Sequence, residues 1–80
     1  MRKVILSKFA AASNVHPTLQ KQAALKIEEP KEPRKNRDQY ATVSIDGTNI
    51  WLTYQWQYDT NGELIIYVKN AKFPAKKHNR

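Results

Sequence analysis

The chain contains no cysteine, two glycines and two histidines. Without thiols there is neither a disulfide framework nor a thiolate zinc site, and His16 and His78 alone do not make a nitrogen-ligated one. No metal and no cofactor are therefore expected. Long apolar runs are missing too. Val4-Ile5-Leu6 follows Met1-Arg2-Lys3 but is cut off by Ser7 and Lys8, too short for a signal-peptide core or a membrane span. No long segment joins a broad apolar face to a cationic one, so no membrane partner is expected and a cytoplasmic chain is the simplest reading. Paired carboxylates and nucleophile–base spacings are absent. His16, His78, Asp46, Asp59 and Glu63 fall at expected turns or termini, where solvated polar groups are the simpler reading, so no catalytic residue is assigned and the chain leans away from an enzyme.

Acidic residues are few: 7 Asp and Glu stand against 14 Lys and Arg, a net charge of +7 over 80 residues. The excess is uneven. Residues 1–37 carry +6, residues 38–70 carry −3 and residues 71–80 carry +4. Such a distribution favours phosphates or an acidic protein as partner. The length predicts a single domain, small enough that a homodimer or a partner-stabilised fold is admissible.

Residues 3–12 read either as a strand through Val4, Ile5 and Leu6 or as a short helix ending in Ala10-Ala11-Ala12; periodicity does not decide over so few positions. Pro17 suits the first position of a helix, where a missing N–H costs nothing. Residues 18–28 then place Leu19, Ala23 and Ile27 four apart, an amphipathic helix whose stripe covers a sheet. Residues 29–38 hold two prolines, four basic residues and no apolar one, which predicts a solvated linker or arm. Residues 39–73 form the sheet segment, and residues 74–80 a basic tail.

The sheet segment reads as a three-stranded antiparallel meander, because its turns are specific. Asp46-Gly47 signals a two-residue hairpin, pairing Ile45 with Thr48, Val43 with Ile50 and Ala41 with Leu52. For the second turn, a two-residue Asn61-Gly62 loop would put apolar side chains on the polar face. A three-residue Thr60-Asn61-Gly62 loop pairs Tyr58 with Leu64, Trp56 with Ile66 and Tyr54 with Val68, with Asp59 opening a type I turn and Gly62 in the left-handed position. One face then holds Val43, Ile45, Ile50, Leu52, Tyr54, Trp56, Tyr58, Leu64, Ile66 and Val68. The other shows Tyr40, Thr42, Ser44, Trp51, Thr53, Gln55, Gln57, Ile65, Tyr67 and Lys69. The fold class is α+β, with one or two short helices packed on the meander.

Three aromatics on a polar sheet face suit base stacking. Ordinary packing against the N-terminal segment or a second copy is the competing account. The candidate binding residues are Tyr40, Trp51, Tyr67 and Lys69 on the sheet, with Lys31, Arg34, Lys35 and Arg37 from the linker and Lys72, Lys76, Lys77 and Arg80 from the tail as phosphate contacts. Residues 9–27 also have the outline of a helix-turn-helix, with Asn14 at the turn and the Asp46-Gly47 hairpin as a wing.

The stretch Tyr40-Ala-Thr-Val-Ser-Ile-Asp-Gly-Thr-Asn-Ile-Trp-Leu-Thr-Tyr-Gln-Trp, ending at Trp56, and the order of elements resemble the RelE/HigB superfamily of ribosome-associated toxin nucleases. The resemblance covers less than half of the chain and implies RNA contact. That family cleaves with basic residues on its sheet strands, and Trp51 stands here where one would be expected.

The expectation is a small, basic, non-enzymatic binding protein contacting RNA, ahead of DNA, or a ribonucleoprotein. The next reading is a protein–protein inhibitor or regulator, such as a phage or mobile-element accessory or anti-defence factor that occupies an acidic or nucleic-acid-binding host protein. A RelE/HigB-like ribonuclease toxin and a helix-turn-helix DNA-binding regulator follow.

Overall fold

The computed structural model describes residues 2–31 and 36–74. Strand β1 (Lys3–Leu6) leads into a one-turn helix α1 (Lys8–Ala11), and helix α2 (Pro17–Leu25) precedes strands β2 (Gln39–Ile45), β3 (Thr48–Tyr58) and β4 (Leu64–Lys72). The fold is α+β, but its sheet has four strands and is mixed, in the order β1-β4-β3-β2, with β1 running parallel to β4. The three-stranded expectation missed β1, whose four residues gain a ladder only from a strand some sixty positions away. Residues 3–12 are thus a strand and then a helix, hinged at Ser7.

Both expected registers are present. Ile45 faces Thr48, Val43 faces Ile50 and Ala41 faces Leu52. Asp46 and Gly47 take φ of 51° and 80°, the doubly left-handed turn whose twist matches the strands. In the second hairpin Tyr58 faces Leu64, Trp56 faces Ile66 and Tyr54 faces Val68. Gly62 has φ of 82°, and its N–H donates to the Asp59 carbonyl at 3.0 Å. The Asp59 carboxylate accepts from the N–H groups of Asn61 and Glu63 at 2.8 and 2.9 Å.

Beyond Val68 the ladder slips by one residue. Tyr54 pairs with Val68 while Thr53 pairs with Asn70, leaving a bulge at Lys69. Strict alternation would turn Asn70 and Lys72 toward the core; the bulge instead buries Ala71 and leaves Lys72 exposed, at the small local cost of one unpaired ladder position. Ser7 closes the gap. Its hydroxyl donates to the Lys69 carbonyl at 2.7 Å and accepts from the Ala10 N–H as the cap of α1.

The helices lie on one face of the sheet. Ala10, Val15, Ala23, Ala24 and Ile27 are buried there against Ile50, Leu52, Ile66 and Val68, each large aliphatic contributing about 1.5–3 kcal/mol. Alanine at the contact points lets α2 approach the strands closely. The buried stripe of α2 is Gln20, Ala23 and Ala24 with Leu19 at its edge, and the helix ends at Leu25 rather than residue 28. There the Arg2 guanidinium donates to the carbonyls of Ala24 and Ile27, both at 2.7 Å, satisfying helix-end acceptors with a cation. At the other end His16 Nδ1 accepts from the Thr18 N–H. Tyr58, expected on the apolar face, sits at its rim half exposed. Its hydroxyl donates to the Glu29 carboxylate at 2.9 Å, and that bond leads the causes that raise it above its ordinary value.

Candidate nucleic-acid interface on the open sheet face

Among the described residues, no element covers the face opposite the helices. Successive rows of that face follow from register. Thr42, Trp51 and Lys72 form one row; Tyr40, Thr53 and the bulged Lys69–Asn70 pair form the next; Gln55, Tyr67 and Ile5 form the third; and Gln57, Ile65 and Lys3 form the fourth. Tyr40 is 76 % exposed and Trp51 44 %. Diagonal neighbours across an antiparallel pair lie within aromatic reach, and Tyr40 and Trp51 line one cleft of about 310 Å³ with Thr53, Asn70 and Lys72.

Lys72 is the main revision. Grouped with the tail from sequence, it belongs to β4 and holds its ammonium 5.4 Å from the Trp51 ring centroid, a cation–π distance. The bulge puts it there. Lys3, which sequence reasoning did not assign, adds a second exposed cation to the face from β1.

Lys69 is half exposed and ion-paired with Asp38 at 3.0 Å. Asp38 also accepts from Gln55 Nε2 at 2.9 Å, and the bonds from Gln55 and then Lys69 hold its carboxyl below the ordinary 3.8. This polar cluster divides the face. On one side stand Tyr40, Trp51 and Lys72, and on the other a smaller slot of about 190 Å³ whose lining includes Ile5, Ile65 and Tyr67.

The remaining expected residues are dispersed. Lys31 lines a different cleft, beside the outer edge of β2 on the helix side, together with Lys26 and Glu29. Arg37 is exposed just before β2. Arg34, Lys35, Lys76, Lys77 and Arg80 lie outside the described residues. Among the described residues, no three His, Cys, Asp or Glu side chains gather as a metal site, and no helix is long and apolar enough to cross a membrane.

The chain matches no family model, no curated protein and no solved structure.

One residue absent from the expected set also borders the face. Phe9 on α1 is 80 % exposed and lines a cleft of about 450 Å³ with Ser13, Tyr40, Thr53, Lys69 and Asn70. Its sequence signal was weak, because an aromatic before three alanines reads as helix core.

Proposed function

We propose that the open face of the sheet binds RNA, alone or within a ribonucleoprotein, and that the protein acts by binding rather than by catalysis. The observation that carries this reading is the Trp51–Lys72 pair. A half-exposed indole with an ammonium 5.4 Å from its ring, beside an exposed Tyr40 in the same cleft, offers a stacking surface and a phosphate partner at one point. Base-on-aromatic stacking contributes about 1–3 kcal/mol per base and tolerates any sequence. The net charge of +7 supplies long-range attraction, which weakens with salt.

Titration of tryptophan fluorescence with single-stranded RNA, single-stranded DNA and duplex DNA tests it. Trp56 is only 7 % exposed, so ligand-dependent quenching reports on Trp51. Tight quenching by RNA that fades with salt is expected; a folded protein whose emission ignores every nucleic acid would refute the reading.

A second reading draws on the other half of the face. Ile5 and Tyr67, both exposed, meet Ile65 in a slot shared with the amides of Asn36, Gln55 and Gln57, and exposed apolar side chains grouped in this way are what a protein partner covers. In that case binding changes little with salt, and Ile5→Lys abolishes it while Trp51→Ala does not.

A further inference from the structure

Tyr40 is the shared wall of two clefts. On one side it lines the cleft with Trp51 and Lys72; on the other it lines the cleft with Phe9 and Lys69. Thr53 and Asn70 line both. Each cleft therefore has an outer aromatic, a common inner aromatic, a common polar floor and its own lysine. Phe9 and Tyr40 are the two most exposed large hydrophobic residues of the described chain, and the core gains nothing from their position.

We infer that the face takes two consecutive nucleotides of a single-stranded RNA, one base in each cleft, with Tyr40 inserted between them. This inference rests on the RNA-binding reading above and adds its register. Bases separated by an inserted ring must be unpaired and unstacked, which selects single strands over duplexes. Lys72 lines one cleft and Lys69 the other, so each base would have a cation beside it for a phosphate. The Lys69 ammonium has three donor hydrogens, so its bond to Asp38 leaves it able to meet a phosphate. The floor favours RNA. Asn70 Oδ1 already accepts from the Ala71 N–H, which fixes the amide with its Nδ2 hydrogens as donors, and these with the Thr53 hydroxyl suit a ribose 2′-OH.

The test compares uridine monophosphate, the dinucleotide UpU, hexauridylate and its deoxy counterpart, followed by Trp51 fluorescence and calorimetry. UpU carries no more charge than the mononucleotide, so tighter binding reports the second base. At least about a fivefold gain from mononucleotide to UpU is expected, the lower end of the range for one stacked base. Phe9→Ala should remove that gain and leave mononucleotide quenching of Trp51 unchanged, whereas Tyr40→Ala should weaken both ligands. Both side chains are largely exposed, so the variants keep the fold. Equal affinity for mononucleotide and UpU, or an unaffected UpU affinity in Phe9→Ala, overturns the two-cleft register while hexauridylate quenching upholds RNA binding. No quenching by hexauridylate overturns both, and equal affinity for the deoxy hexamer overturns the assignment to RNA.

Discussion

Gly62 carries the second hairpin at a single residue. With φ of 82° and no atom within 4 Å of where a Cβ would stand, Gly62→Ala meets no clash and suffers only the left-handed penalty. A loss of about 1–2 kcal/mol is expected from denaturant unfolding. Asp38 gives a pH-dependent counterpart. Because its folded carboxyl titrates below the ordinary 3.8, the stabilisation is present above that value and is lost as pH falls through the folded one. Asp38→Asn should flatten the acid limb of a denaturation-midpoint-versus-pH curve; an unchanged limb would show that the Lys69 and Gln55 bonds do not persist in solution. Gln20 is fully buried and its Nε2 donates to the carbonyls of Ala10 and Val15 at 2.6 and 2.8 Å, while Oε1 has no partner. Gln20→Leu keeps the volume but leaves the Ala10 carbonyl with only the Ser13 N–H at 3.1 Å and the Val15 carbonyl with only the Ser13 hydroxyl at 3.4 Å, so thermal or urea unfolding should show a loss of about 0.5–1.5 kcal/mol despite the greater hydrophobicity.

At the scale of elements, the hairpins were legible and the junctions between elements were not. Asp46-Gly47 and the Asp59 to Gly62 spacing impose backbone angles that few other residues accept, and the period-2 pattern from Val43 through Val68 then sorts the faces. Nothing local announces β1, since Val4-Ile5-Leu6 is as compatible with a helix and its ladder partner is distant in sequence. The bulge is equally silent, lacking a glycine at Lys69 or Asn70, and with it went the placement of Lys72. Phe9 escaped for the same reason: its importance depends on where α1 lands relative to Tyr40. Ser7 joins these junctions, capping α1 and holding the bulge. Ser7→Ala should cost about 0.5–2 kcal/mol and raise amide exchange at residues 8–11 and 69–71 together. Exchange confined to one of the two segments would show that they are not coupled.

For the whole molecule, the helices and sheet divide the labour: one face builds the core, and the other is left to carry aromatics and cations. On the RNA-binding proposal, Trp51→Ala should therefore weaken binding by about 1–3 kcal/mol with little loss of stability, whereas Trp56→Ala, at a buried site, should cost about 3–5 kcal/mol in unfolding experiments. The affinity of the wild-type protein should fall log-linearly with salt, with a slope near −0.7 for each phosphate neutralised on a single strand.

The bulge in β4 amounts to one residue of slack. Because Lys69 and Asn70 together face Thr53 alone, removing Asn70 would draw the strand taut, with Lys69 facing outward, Ala71 still inward and Lys72 still beside Trp51. The hydrophobic interior would register no change of length. The surface would lose the amide that both clefts share and, with the relocated Lys69 carbonyl, the bond from Ser7. On the proposed RNA reading, a single deletion would thus reach the polar floor of both clefts at once while the apolar ladder keeps its register.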